Sequence, residues 1–171
     1  MARASAAKKL VGLLALCAAV AQAATLSPAD RNFLLRAAAD GHAEVMAGKV
    51  ATTNAGDASV RKYGIRLMRD HMAADRRLDE IALDLDLSLP SRPDRQQRAE
   101  VFHLDALTGP AFDRAYLQQM GVEAHQRAIA LFRQESEARH AAPALRKFAR
   151  QTLPVLQQHL QMAQDLQGAP S

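Results

Sequence analysis

Two histidines of this sequence lie at helix positions that normally carry apolar side chains. At about 100° per residue, His71 falls in the middle of an apolar stripe over residues 60–85, and His159 in the middle of a second stripe over residues 145–166. A buried polar group that lacks a partner costs roughly 1–3 kcal/mol. Two inward imidazoles on separate helices therefore predict one polar pocket that both of them share.

Three other residues can join this pocket. Glu44 shares a side of its helix with small and apolar residues, and Asp75 lies one turn after the first histidine, where its carboxylate could orient an imidazole. His125 faces inward only if its helix contains a one-residue π-bulge near Gly121, because the apolar residues before and after that glycine follow different phases. Without the bulge, an alternative that the sequence leaves open, Glu123 turns inward instead.

The chemistry that this set could perform is the binding of one divalent transition metal ion. The candidate ligands, one from each long helix, are Glu44, His71, His125 and His159, with Asp75 beside them. Imidazole nitrogen suits Zn, Cu, Fe or Ni. The inward carboxylates are too few to neutralise two ions, so we do not expect a di-iron centre. The alternative is structural: each histidine makes ordinary hydrogen bonds and fixes the register of the helices.

No motif for other chemistry accompanies these residues. The sequence contains neither a G-x-S-x-G nucleophile motif nor a glycine-rich phosphate loop, and its one cysteine, Cys17, lies in an apolar run near the start. We therefore expect a protein without catalysis, a binding or stress-related bundle with a polar His/Glu core. The alternative function is the binding of a single Fe, Zn or Cu ion, with or without redox activity.

The first 23 residues have the pattern of a secretory signal peptide. Three basic residues precede the apolar run "LVGLLALCAAVA", and the triplet Ala21-Gln22-Ala23 follows it. The apolar run is shorter than the roughly 20 residues that span a bilayer. Cleavage after Ala23 would leave residues 24–171 as a single domain, periplasmic or exported, without a transmembrane segment.

The charge of the chain gives no indication of a nucleic-acid partner. The whole sequence has 22 Lys and Arg against 18 Asp and Glu, a net charge of +4 with histidines neutral. Loss of Arg3, Lys8 and Lys9 with the leader would reduce that value to +1. No Lys/Arg-rich block with interleaved aromatic residues is present. We expect no nucleic-acid binding.

The elements that would position the candidate ligands are all helical. Ser27 is a suitable N-cap for the first helix, and the "TNAGD", "SLPSRP" and "HAAPAL" segments are typical of turns. The expected helices run over 28–52, 57–87, 108–138 and 142–167, with a short connecting helix over 94–106. This pattern predicts an all-α, ferritin-like four-helix bundle with a long connection, residues 88–108, along its outside between helices two and three.

Several stretches resemble an exported bacterial family of ferritin-like proteins of unknown function, often labelled "predicted outer membrane protein". The similar stretches are "AAADGHAEVMAGKVA", "VRKYGIRLMRDHMAAD", "AFDRAYL", "AHQRAIALF" and "LPVLQQHLQMA". The resemblance extends over about residues 30–166, and the Asp70-His71 pair and the Leu-Pro…His spacing of the last helix are its more specific features. The resemblance implies a ferritin-like fold and export, and it implies no established activity.

We expect the exported protein to begin at Ala24, because the small residues at positions 21 and 23 fit the signal peptidase site. N-terminal sequencing of protein released by osmotic shock measures this directly. A chain that starts at a lipid-modified Cys17 would contradict the expectation. Leu16 stands where a lipoprotein carries a small residue.

Overall fold

The computed structural model describes residues 26–168. The expected signal peptide, its cleavage site and Cys17 lie outside this range. Within it, six α-helices and one π-helical segment follow each other, and no β-sheet is present. The helices are α1 (Pro28–Asn54), α2 (Ala58–Asp84), α3 (Arg95–Asp105), α4 (Gly109–Tyr116), α5 (His125–Glu137) and α6 (Pro143–Gly168), with the π segment (Leu117–Ala124) joining α4 to α5. The all-α fold is confirmed.

The helices begin where side chains can cap them. The Ser27 hydroxyl accepts the backbone N–H of Asp30 at 3.0 Å, and Asp94 forms a capping box with Gln97 at the start of α3. The C-terminal end of α2 lies three residues before the predicted one. Asp86 adopts a left-handed backbone with φ 52°, and Leu87 N–H reaches the Ala82 carbonyl at 2.9 Å. This Schellman-type cap satisfies the last carbonyls of α2.

The bundle has four rods, which are α1, α2, the continuous unit α4–π–α5, and α6. They pack as two hairpins: the first is α1 with α2, and the second is α4–π–α5 with α6. In addition, α2 packs against α6, and α1 packs against α5. The first hairpin is especially close: a Cβ on Gly48 would lie 2.8 Å from the Gly64 carbonyl, and a Cβ on Gly64 2.5 Å from the Ala51 side chain. Only glycine permits this approach of the two backbones.

The long connection between α2 and α4 carries α3, which packs mainly on α1. Side chains of α1 attach this connection at both ends. His42 Nε2 lies 3.0 Å from the Pro90 carbonyl, and the Asn54 amide donates to the carbonyls of Asp105 at 3.0 Å and Leu107 at 2.9 Å. The connection therefore covers one face of α1, as the sequence predicts.

Two apolar clusters form the core, and a polar layer separates them. One cluster includes Leu67, Phe112, Tyr116 and Ala163, and the other is built around Phe33, Phe132 and Phe148, whose rings meet edge-on or tilted. The polar layer consists of Glu44, His71, His125 and His159, one residue from each rod. In every rod this residue falls between the residues that belong to the two clusters.

A second pair of polar side chains lies at the end of the bundle. Asp30 and Glu135 are both buried, and the Asp30 carboxylate accepts the backbone N–H of Ala142 at 3.3 Å. Burial, and then the neighbouring Asp30, raise the pKa of Glu135 to about 7. The native state thus keeps a proton on Glu135 that the unfolded chain releases above about pH 4.5.

Because the native pKa of Glu135 is raised, the stability that this group contributes is fully present below about pH 4.5 and is lost as pH rises towards 7. We expect Glu135→Gln to be more stable than the parent at pH 8, by about 1–3 kcal/mol, and equal to it near pH 4. Urea unfolding across this range measures the difference. The exposed Glu137→Gln serves as control, and parallel curves for parent and E135Q would contradict the expectation.

Candidate metal centre

Three histidines converge in the polar layer from three different rods. His71 lies on α2, His125 is the first residue of α5, and His159 lies on α6. One ring nitrogen from each lies within 4.8 Å of the others, and the ring centroids are 5.2–5.7 Å apart. His125 and His159 are each 1 % exposed. His71 is partly buried, and its Nε2 atom is inaccessible to solvent.

The π segment explains how His125 reaches this layer. A π turn inserts one residue relative to an α turn, and the sequence alone left open whether it occurs. In the structure it spans Leu117–Ala124, His125 is buried and Glu123 is exposed. Gly121 lies against α6, where an added Cβ would come 2.6 Å from the Ala163 Cβ. The bulge and the glycine together bring the rod close to α6 with His125 inward.

The hydrogen bonds of His125 and His159 determine which ring nitrogens carry protons. His125 Nδ1 donates to the Met120 carbonyl at 2.7 Å, and His159 Nε2 donates to the Asp70 carboxylate at 2.9 Å. Both partners are oxygens that only accept. The remaining nitrogens, His125 Nε2 and His159 Nδ1, therefore face each other with lone pairs at 3.2 Å. Two lone pairs at this distance repel unless a proton or a metal ion lies between or beside them.

The third imidazole also has a free nitrogen, since His71 Nε2 has no hydrogen-bond partner among the described residues. Burial lowers the pKa of all three histidines: well below the usual value for His71, to about 4 for His125, and downwards for His159 although Asp70 opposes the shift. Near neutral pH the rings are uncharged. Neutral imidazole is the form that binds metal ions.

Glu44 lies beside this group rather than within it. Its Oε1 is 3.7 Å from His125 Nδ1, the edge of the ring that already donates to Met120, and not the Nε2 edge that faces His159. Burial, and then Asp40, raise the pKa of Glu44 well above its usual range. The three histidines form the cluster of closely spaced donor atoms without it. Glu44 therefore lies next to His125 without belonging to the closely spaced donor atoms.

Among the three clustered histidines, the one that bonds a carboxylate is His159, and its partner is Asp70. Asp75, the residue expected in this role, instead lies 3.4 Å from His42 Nδ1. Asp70 bonds His159 and also lies 3.3 Å from Arg66 Nε. Helical periodicity places Asp70 at the margin of α2, and its bond to α6 depends on how the two helices pack. The Asp70-His71 pair, visible in the resemblance, was the one signal that could have indicated it.

Because Gly121 fits against Ala163 without a Cβ, we expect Gly121→Ala to destabilise the protein by about 1–3 kcal/mol. Adding Ala163→Gly should restore space, so that the double variant is more stable than the sum of the single changes predicts. Urea unfolding measures each free energy. Gly168→Ala, where an added Cβ has no neighbour within 4 Å, is the control. Strict additivity of the two changes would contradict this account of the contact.

The described part of the chain contains no helix with the length and hydropathy needed to cross a bilayer. A crystal structure described as a DUF305 fragment from Deinococcus radiodurans is similar, with a TM-score of 0.73 and 16 % identity over 84 % of this chain and 97 % of that chain. At this identity the similarity concerns the fold. None of the curated proteins compared with the chain matches it. A family model described as "Domain of unknown function (DUF4142)" matches residues 15–166, and the chain belongs to that family.

Proposed function

We propose that this protein binds one divalent transition metal ion through His71, His125 and His159. The observation that carries the proposal is the 3.2 Å contact between His125 Nε2 and His159 Nδ1, both of which present lone pairs. A metal ion that accepts both lone pairs converts this repulsion into two bonds. His71 Nε2, buried and without a partner among residues 26–168, supplies the third.

The spacing of the nitrogens supports a single ion. Metal–imidazole bonds of about 2.0–2.1 Å place two ligand nitrogens on one ion about 3.0–3.5 Å apart. The His125–His159 pair has this spacing already, at 3.2 Å. The whole set lies within 4.8 Å, so the widest pair has to close by no more than roughly 1–2 Å on binding. A small turn of one ring can supply that movement.

The groups behind the imidazoles also suit a metal site. Metal-binding histidines usually donate their other ring N–H to a carboxylate or a backbone carbonyl, which fixes the tautomer and the orientation of the ring. Asp70 does this for His159 and the Met120 carbonyl for His125. Within residues 26–168 the His71 Nε2 atom has no hydrogen-bond partner, so we expect this ring to be the one that adjusts when the ion binds.

A purely structural polar layer is the competing function. It requires ordinary hydrogen bonds, and the layer leaves both His71 Nε2 and Glu44 Oε2 buried without partners in the described part of the chain. Each such atom costs roughly 1–3 kcal/mol. Metal binding accounts for the histidine. With the expected leader, the ion would be bound outside the cytoplasm.

The test is the metal content and affinity of residues 24–171 prepared without a metal-binding tag. We expect close to one ion per chain, a rise in melting temperature with Zn²⁺ or Co²⁺, and loss of both effects in His71→Leu. Asp70→Asn should weaken binding by about 10- to 100-fold, because it removes the support of His159.

His103→Leu, an exposed histidine on α3, is the matched control and should bind as the parent does. A parent that takes up none of Zn, Fe, Cu, Ni or Mn, in oxidising or reducing buffer, would leave the structural function alone. An H71L variant that retains the parent's affinity would remove His71 from the site.

A further inference from the structure

We propose that the cation reaches the three imidazoles through a passage lined by carboxylates between α1, α3 and α5, and not through the groove between α2 and α6. This inference rests on the proposed metal binding. Two cavities approach the polar layer from different sides, and His71 lines both of them. Their charges differ, and this difference indicates which one admits a cation.

The inner cavity has a volume of about 60 Å³ and reaches His71 and His125. That space is enough for a metal ion with part of its hydration shell. Four carboxylate residues and one cationic residue line the cavity besides the histidines: Asp40, Glu44, Asp75, Glu100 and Arg127. Oxygen ligands at successive depths allow a hydrated cation to exchange its waters one at a time.

The innermost acidic side chain, Glu44, lies where the cavity meets the imidazoles. Glu44 is 5 % exposed, its Oε1 lies 3.7 Å from His125 Nδ1, and its Oε2 has no partner within residues 26–168. An unpartnered oxygen at this depth is a site where an incoming cation can pause before it reaches the nitrogens. The other acidic residues would be an ordinary polar surface without it.

The outer end of the passage is a neck closed by α3. Asp40, Gln97, Glu100 and Arg127 line both the inner cavity and a larger groove at the surface, so they stand where the two meet. Across this neck the Gln97 side-chain amide donates to Asp40 Oδ1 at 2.6 Å. The hydrogen bond joins α3 to α1 and narrows the opening.

The groove between α2 and α6 is wider, about 300 Å³, and reaches His71 and His159. Arg66 and Arg77 line it, and its one carboxylate belongs to Asp70. That carboxylate already accepts from His159 and lies 3.3 Å from Arg66. The groove therefore has an excess of positive charge, which lowers the local concentration of divalent cations.

The rate of Co²⁺ association, followed by stopped-flow absorbance at low ionic strength, tests the route. We expect Asp40→Asn and Glu100→Gln each to slow association by about threefold and to weaken its salt dependence, because each removes one charge that attracts the ion. Asp84→Asn changes the charge equally at an exposed position of α2 and should associate at the parent's rate. Gln97→Ala should speed both association and dissociation, since the neck loses its hydrogen bond.

Two results would overturn the route while metal binding stands. One is association by D40N and E100Q at the rate of D84N; the other is a marked acceleration by Arg77→Gln, which would show that the ion passes the arginines. A parent that binds no Co²⁺ would overturn the route and the metal site together. Thermal melts of each variant separate a slower rate from a loss of folded protein.

Discussion

The central feature of this bundle is the close contact between two ring nitrogens, His125 Nε2 and His159 Nδ1. His125 and His159 each use one nitrogen to bond an oxygen outside the pair, and the nitrogens that remain meet at 3.2 Å. Apolar clusters pack above and below this contact. The helices are held at this spacing by packing on both sides. The packing of the two apolar clusters thus holds the histidines in position, and an ion would bind to ligands that are already in place.

Local sequence signals accounted for most of the fold. Ser27 and Asp94 cap helices where such residues usually do, and proline and glycine segments separate the rods. The predicted end of α2 was three residues too late, because Asp86 adopts the left-handed backbone conformation that ends the helix. Glycine usually occupies this position, so an aspartate there gave no signal. Capping is local chemistry, and therefore it can be read from a single chain.

The candidate site was less predictable, because it depends on distances between helices. Periodicity indicated the inward direction of His71 and His159 correctly, yet it could not choose between two phases for His125, which differ by the π segment. It also gave the orienting role to Asp75, whereas Asp70 on the margin of α2 bonds His159 across the helix interface. A contact of that kind is set by the crossing of two helices, which no single helical pattern contains.

The two hairpins differ in how far their helices can move. Gly48 and Gly64 bring the backbones of α1 and α2 into direct contact, so the two helices of the hairpin that carries His71 have little space in which to shift. The facing rod contains a π segment, whose hydrogen-bond geometry departs from the ideal helix. We therefore expect local opening near the centre to occur mainly in the rod that carries His125. The rate of amide hydrogen exchange along residues 117–125 would report this opening, and it would vary with the size of an ion held there.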